Sequence, residues 1–148
     1  MIKRQLEDLE IEWFLAGFAS LPLSRVWFGD HLALYLELGQ FIGKYKHSGR
    51  SEYERHIFLG YDWTLTDCNG ETLRRSDLVG ESITQMLNRS HVRSVNLDLR
   101  NELLVEVKNR CVICTIGTGH PDWSLYESPN KYLSIENGIP VLEITTGN

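Results

Sequence analysis

Cys111 and Cys114 form the most recognisable chemical pattern in the chain, the CxxC spacing found in zinc sites and redox-active dithiols. The apolar residues around them are typical of a β-strand, and residues three apart on a strand point to opposite faces. The sequence has no second CxxC and no histidine pair at a zinc-binding spacing, and Cys68 is its only other cysteine. We therefore predict buried thiols, no metal site and no cofactor.

The five histidines are scattered along the chain: His31, His47, His56, His91 and His120. The sequence contains no nucleophile elbow, phosphate-binding glycine loop or helical His-Glu motif, so no catalytic residue is predicted. One enzymatic alternative stays open, in which His91, His120 and Asp122 act together on a nucleotide or nucleic acid. That alternative requires the three side chains to converge in one concave site.

The bulk composition indicates one compact domain spanning residues 1–148. The 148 residues are 42% hydrophobic, which is enough for one core. The formal net charge is -5, and no basic run is longer than a pair, which argues against nucleic acid as the partner and suits a basic protein instead. The charged N-terminus and the lack of a long apolar run predict a cytoplasmic protein with reduced thiols and no membrane partner.

A four-residue pattern occurs twice, as Asp62-Trp63-Thr64-Leu65 and as Asp122-Trp123-Ser124-Leu125. A tryptophan followed two residues later by a leucine is typical of a strand that packs one face on a core, so the pattern predicts equivalent core positions. It belongs to a longer internal repeat, of about residues 12–75 and about 81–145. The alignment pairs Val26 with Val95, Phe28 with Leu97, Leu32, Leu34 and Leu36 with Leu103, Val105 and Val107, and Phe41-Ile42 with Val112-Ile113.

Each half of this repeat predicts one helix and an antiparallel β-meander. Apolar spacing predicts the first helix from Leu6 to about Phe18, with Leu6, Leu9, Trp13, Phe14 and Phe18 on one side. A second helix is predicted over about 77–87. The expected fold class is therefore α+β, with two repeated halves sharing one core. The strands form either one curved sheet or a sandwich.

Two groups of residues are candidates for a binding surface. If the aliphatic residues of the first hairpin face the core, Trp27, Tyr35 and Glu37 lie on the opposite face, where an aromatic pair needs a covering helix or a partner. The predicted loop 46–55 is the largest difference between the halves, and it contains Glu52, Tyr53 and Glu54. A tolerated surface insertion is the alternative reading of this loop.

The strand pattern from Val95 to Val107, with the Trp123-Ser124-Leu125 strand, resembles small bacterial proteins of mixed β character, and it covers most of the chain from Ser24 onward. In size, acidity and lack of catalytic motifs the chain is similar to immunity proteins of bacterial toxin–immunity systems, including those of contact-dependent growth inhibition. The resemblance implies a non-enzymatic protein that binds and occludes a cognate toxin, with a nuclease as the expected toxin class. The alternatives are the small enzyme described above and a self-associating subunit, a homodimer formed through Trp27 and Tyr35.

Overall fold

The computed structural model of the chain describes residues 1–29, 33–44, 49–60, 62–67, 69–74, 83, 87, 89–108, 111–115 and 122–146. Within these residues the chain forms one α-helix, α1 (Asp8–Ala16), and twelve β-strands. The strands are β1 (Ile2–Gln5), β2 (Leu23–Phe28), β3 (Leu34–Lys44), β4 (Ser51–Leu59), β5 (Trp63–Thr66), β6 (Thr72–Arg74), β7 (Val92–Leu97), β8 (Leu103–Val107), β9 (Cys111–Thr115), β10 (Trp123–Glu127), β11 (Lys131–Glu136) and β12 (Ile139–Ile144).

The twelve strands belong to two antiparallel sheets, so the fold is mostly β and the predicted α+β class, with one helix in each half, is wrong. The first helix is shorter than predicted. Of the second predicted helix, 77–87, only Ile83 and Leu87 lie within the described residues; both are helical and fully buried. A nine-residue helix cannot cover a seven-stranded sheet, whereas two sheets can bury each other's apolar faces.

Each sheet combines strands from both halves of the chain. The strand order is β1-β12-β11-β10-β4-β3-β2 in the seven-stranded sheet and β6-β5-β9-β8-β7 in the five-stranded sheet. The strands β2 to β6 of the first half therefore take the same relative places as β7 to β11 of the second half. The chain changes sheet between β4 and β5, and again between β9 and β10. Neither half forms a sheet alone.

The pairing registers of the two sheets correspond residue by residue. Val26–Leu36–Ile57–Leu125–Leu133 are neighbours across the seven-stranded sheet, and Val95–Val105–Ile113–Leu65–Leu73 are neighbours across the five-stranded sheet. The alignment made from sequence is wrong by two residues at the second strand, because Leu34 and not Leu32 takes the place of Leu103. It is also wrong at the third strand, where Ile57 takes the place of Ile113. The error at the third strand arises from the length of β3, which has eleven residues against five in β8.

The two sheets join at one edge, where the chain enters β2 and β7. Pro22 and His91 form an isolated antiparallel bridge there. The Leu23 N–H donates to the Ser90 carbonyl at 2.7 Å, and the Val92 N–H donates to the Leu21 carbonyl at 2.9 Å. Leu23 is equivalent to Val92, and Leu21 to Ser90. In one hydrogen bond the first half donates to the second, and in the other the second half donates to the first. That reciprocity is the signature of a pseudo-twofold axis passing through the bridge.

One hydrophobic core lies between the sheets, which settles the architecture as a sandwich. Its buried residues include Leu36 and Leu125 from the seven-stranded sheet and Val105 and Ile113 from the five-stranded sheet. Alternation along each strand sends every second side chain into this core. The outer faces of both sheets remain for other contacts.

The repeated tryptophans lie at the two points where the chain has just changed sheet. Trp63 opens β5 with no exposed surface, and Trp123 opens β10 with 2% of its surface exposed. The Trp123 Nε1–H donates to the Asn101 carbonyl oxygen at 2.8 Å, so its polar atom is satisfied within the fold. The prediction that the Asp-Trp-(Ser/Thr)-Leu pattern marks core positions is confirmed.

Helix α1 packs against β7 with one side only. It begins with a capping box between Glu7 and Glu10, and Leu15 reaches the core. Leu9 and Trp13, predicted on the apolar side of this helix, are 64% and 77% exposed. That part of the prediction is wrong, because helical spacing alone does not show how much of an apolar side meets the core.

The pseudo-symmetry predicts that truncating a core side chain lowers the free energy of unfolding by similar amounts at equivalent positions. Leu65→Ala and Leu125→Ala should each lower the free energy of unfolding by about 2 to 5 kcal/mol, because each leaves a cavity in the core. Leu99→Ala removes a leucine that is fully exposed and should change the free energy of unfolding by less than about 0.5 kcal/mol. Chemical denaturation measures all three. A cost in one half only would contradict a shared core.

Candidate binding cleft on the seven-stranded sheet

Two rows of side chains cross the outer face of the seven-stranded sheet. Arg25–Glu37–His56–Tyr126–Tyr132 form the first row, and Trp27–Tyr35–Phe58–Ser124–Ser134 form the second. Alternation along the strands turns both rows away from core residues such as Leu36 and Ile57. This face therefore carries aromatic and ionisable side chains as direct neighbours.

The aromatic rings of the second row are in contact. The Trp27 and Tyr35 rings stack with centroids 3.9 Å apart and planes 2° from parallel, and the Tyr35 and Phe58 centroids are 4.9 Å apart. Gly29 leaves room for this stack, since a Cβ there would lie 2.7 Å from Tyr35 Cε2. The Arg25 guanidinium lies 5.7 Å from the Trp27 ring centroid. The result is a continuous, half-buried aromatic surface.

The β3–β4 hairpin extends beyond the rest of the sheet. β2 pairs with β3 only as far as Leu38, whereas β3 and β4 stay paired out to Lys44 and Ser51. Two register shifts bend β3 in this stretch, and Gly39 has φ of 82°, which favours glycine. We call residues 39–44 and 49–54 the β-arm. In the equivalent hairpin Val107 already pairs with Cys111, so the second half has no such arm.

A cleft of about 440 Å³ lies between the outer face and the β-arm. Its lining residues are Arg25, Trp27, Tyr35, Glu37 and His56 from the sheet and Gly49, Arg50 and Ser51 from the β-arm. The sheet gives the cleft a rigid floor, and the β-arm gives it a wall. A pocket of this size accepts a small ligand or a few side chains of a protein partner.

Glu37 is the most unusual residue of the cleft, because it is a carboxylate with only 8% of its surface exposed. Its Oε2 lies 3.9 Å from Arg25 Nη1, a distant ion pair. Burial raises the pKa of Glu37, while the Trp27 indole and the Arg25 guanidinium oppose that effect. Neither Glu37 Oε2 nor Trp27 Nε1 has a hydrogen bond of acceptable geometry. The cleft wall therefore contains a buried acceptor, Glu37 Oε2, and a buried donor, Trp27 Nε1, that both lack a well-formed hydrogen bond.

His56 lines the cleft beside Glu37, and the buried Tyr126 packs against it. Burial lowers the pKa of His56 to about 4, so its imidazole is neutral at pH 7. The His56 ring lies 4.7 Å from the Tyr126 ring. The Tyr126 hydroxyl donates to the Pro129 carbonyl at 2.8 Å and lies 3.2 Å from Glu52 Oε1, which accepts the Ser128 hydroxyl at 2.8 Å. These contacts tie the β-arm to the β10–β11 turn.

Five of the six residues predicted from sequence lie on this side of the sheet. Trp27, Tyr35 and Glu37 line the cleft, and alternation along β4 puts Glu52 and Glu54 on the same side as His56. The Glu54 carboxylate accepts the Gln40 N–H at 2.9 Å.

Tyr53 is separate from the other five. It lies on the opposite side of the β-arm, where its ring packs edge-on against Phe41 with centroids 5.7 Å apart. The loop predicted over 46–55 is also wrong for its second part, since residues 51–55 belong to β4. Alternation within that strand separates Tyr53 from its neighbours Glu52 and Glu54.

Sequence reasoning did not identify Arg25 and His56 in the cleft, or the buried Tyr126 that packs against His56. His56 could have been found by extending the alternation of Glu52 and Glu54 by one more step along the same strand. Tyr126 could not, because the β4–β10 pairing joins distant parts of the chain.

The five-stranded sheet lacks this surface at the equivalent positions. By backbone register, the equivalent positions are Ser94–Glu106–Val112–Thr66–Thr72 and Asn96–Leu104–Cys114–Thr64–Arg74. Leu104 takes the place of Tyr35, which the sequence alignment had matched with Glu106. No aromatic side chain stands at any of these ten positions. The two faces share a backbone plan and differ in the chemistry they present.

The residues of the enzymatic alternative are not brought together where the structure describes them. His91 lies at the start of β7, beside Pro22. Asp122 precedes Trp123, whose indole reaches Asn101 in the turn after β7. His91 and Asp122 therefore lie at opposite ends of that strand, and His120 lies outside the described residues.

The described residues contain no group of three or more His, Cys, Asp or Glu side chains that could hold a metal ion. The prediction for the CxxC thiols concerns Cys68 and the side chains of Cys111 and Cys114, which lie outside the described part. Among the described helical residues, none belongs to a helix long and apolar enough to cross a membrane.

Comparison with known proteins adds no relative. No protein-family model, curated protein or solved structure matches the chain.

The buried histidine predicts acid sensitivity. Between pH 7 and pH 5 the free energy of unfolding should fall by about 1 to 2 kcal/mol more in the wild type than in His56→Gln. Over this range an unfolded histidine takes up a proton, whereas folded His56 stays neutral until about pH 4. Urea denaturation at several pH values measures the difference. Parallel pH profiles of the two proteins would contradict a buried, neutral His56.

The burial of the Glu37 carboxylate predicts that this residue lowers the stability of the folded protein. At pH 7, Glu37→Gln should leave the free energy of unfolding unchanged or raise it by up to about 1 kcal/mol, because the amide removes a buried charge with a distant partner. The advantage of the variant should shrink as the pH falls, since folded Glu37 takes up a proton before the unfolded chain does. Denaturation of both proteins at pH 7 and pH 4 tests this. A loss above about 2 kcal/mol at pH 7 would show instead that Glu37 is a well-paired structural residue.

Proposed function

We propose that this protein binds and neutralises a cognate bacterial toxin, and that the cleft and the β-arm form its toxin-binding surface. The observation that carries the proposal is the difference between the two outer faces. Equivalent positions of one backbone plan hold a stacked aromatic cluster with a buried carboxylate in one sheet and no aromatic side chain in the other. Core packing and pseudo-symmetry do not require that difference, whereas recognition of a partner does.

The chemistry of the surface suits a protein partner with basic side chains. Trp27 and Tyr35 offer ring faces, which are frequent anchors in protein interfaces. Glu37 offers an acceptor atom that has no hydrogen bond in the free protein. A hydrogen-bond donor of the partner that enters the cleft, where Arg25 and Arg50 already lie, would provide that hydrogen bond. Basic side chains of the same partner would contact Glu52 and Glu54 on the β-arm.

The charge of the chain supports the same kind of partner. Glu52 and Glu54 stand on the β-arm beside the cleft, and the whole chain carries a formal charge of -5. Opposite net charges speed the encounter of two proteins, and buried aromatic contacts then slow their dissociation. A toxin that acts on nucleic acid needs a basic surface, so an acidic binder can occlude it by direct competition.

The test is a growth-protection assay with a matched control variant. The polypeptide encoded next to this chain is expressed in cells together with the wild type, with Trp27→Ala/Tyr35→Ala, or with Asn96→Ala/Leu104→Ala. The first double variant removes the aromatic stack, and the second makes the same changes at the equivalent positions of the other sheet. We expect the wild type and the control to restore growth, and the cleft variant to bind about a hundredfold more weakly and fail to protect.

Purified proteins make the result quantitative through the dissociation constant of the toxin complex. Thermal denaturation of each variant confirms that it is folded before binding is measured. Equal protection by the two double variants would exclude the cleft as the binding surface. A neighbouring polypeptide that is harmless when expressed alone would contradict the toxin-neutralising function itself.

A further inference from the structure

Helix α1 presents a second apolar surface, which shares no residue with the cleft. Leu9 and Trp13 are one helical turn apart, and their exposed fractions are 64% and 77%. Of the described tryptophans, Trp63 and Trp123 are buried and Trp27 is stacked on Tyr35. A tryptophan this exposed on a short helix offers a large apolar area to a partner. We call Leu9 and Trp13 the α1 ridge.

Grooves lie on both sides of this ridge. A groove of about 460 Å³ separates α1 from β11 and β12, and Leu6, Phe14 and Leu142 form its apolar floor. A smaller groove of about 230 Å³ separates the other side of α1 from β7 and includes Ala16 and Val95. A ridge between two grooves is the surface against which a second helix packs.

The charges of α1 beside the ridge are acidic, whereas the larger groove also contains Arg4 and Lys131. Asp8 and Glu12 are one turn apart, and each directly precedes a ridge residue in sequence, so the acidic pair runs parallel to the apolar pair. The other acidic residue of the helix, Glu10, is neutralised by Arg4 at 2.8 Å. The helix itself contains no basic residue.

We propose that the α1 ridge is a docking site for a basic amphipathic helix of a protein partner. Apolar side chains of that helix at one-turn spacing would fill the groove beside Leu9 and Trp13, and its lysine or arginine side chains would pair with Asp8 and Glu12. The inference rests on α1 and its grooves and is independent of the cleft, so either site can fail without the other.

The probe is a synthetic helical peptide built from leucine and lysine in an amphipathic pattern, compared with the same peptide carrying glutamate in place of lysine. Calorimetric titration of the whole chain should give saturable binding of the lysine peptide at micromolar concentration and none of the glutamate peptide at about 1 mM. Leu9→Ala/Trp13→Ala should weaken binding about tenfold or more. Asp8→Asn/Glu12→Gln should weaken it about three- to tenfold and reduce its dependence on salt.

A matched control separates the α1 ridge from general stickiness and general charge. Leu99→Ala/Glu71→Gln removes an exposed leucine and a carboxylate elsewhere, and its affinity for the lysine peptide should equal that of the wild type. Equal affinity of the ridge variant and the wild type, or no saturable binding of the lysine peptide, would overturn the proposal. Sedimentation of the protein alone adds one more outcome: self-association that Leu9→Ala/Trp13→Ala abolishes would assign the ridge to a second copy of the chain instead.

Discussion

Neither half of this chain can complete a sheet without the other, and the rest of the structure depends on that constraint. Each half supplies three neighbouring strands to one sheet and its next two strands to the opposite sheet. The exchange buries both apolar faces in one core and brings equivalent residues together at the Pro22–His91 bridge. Because the backbone pairing and the core packing fix both sheets at once, the outer faces are free to differ. A sandwich of this kind can change the chemistry of one face with little consequence for the core.

The difference between the faces is therefore the most informative feature for function. On the seven-stranded sheet the outer residues stack ring on ring, and Glu37 stays buried beside them with an incomplete set of partners. A buried carboxylate of this kind costs stability, and natural proteins keep such groups mainly where they bind or react. The β-arm adds a wall to the same face, and the second half has no counterpart of it. Position, chemistry and shape thus all distinguish one surface of an otherwise symmetric plan.

The sequence predicts the repeat of the Trp-x-Leu strands well, because the alternation that buries Trp63 and Trp123 is local. It fails at α1, where Leu9 and Trp13 satisfy the spacing of an apolar helix face but find no core to meet. It also fails at the third strand of the first half, β4, because the extra residues that β3 takes up beyond Leu38, partly in bulges, are invisible to a pattern of period two.

The residues of the candidate site also divide into those set by local alternation and those set by pairing of distant strands. Trp27, Tyr35 and Glu37 follow from alternation within one hairpin. The contributions of Tyr126 and the β10–β11 turn depend on the pairing of β4 with β10, between residues far apart in the chain. The decision between one curved sheet and a sandwich likewise depends on which strands pair across the halves. Local periodicity does not carry that information.

One outer face, and not its symmetric equivalent, is assigned as the binding surface by this proposal. Amide hydrogen exchange of the protein alone and in complex with the toxin tests it most directly, since exchange reports on every strand at once. The account predicts slower exchange in β3 and β4 of the β-arm, around Phe41–Lys44 and Ser51–Glu54, with β8 and β9 unchanged. Slower exchange in β7 and β8, with the β-arm unchanged, would contradict it.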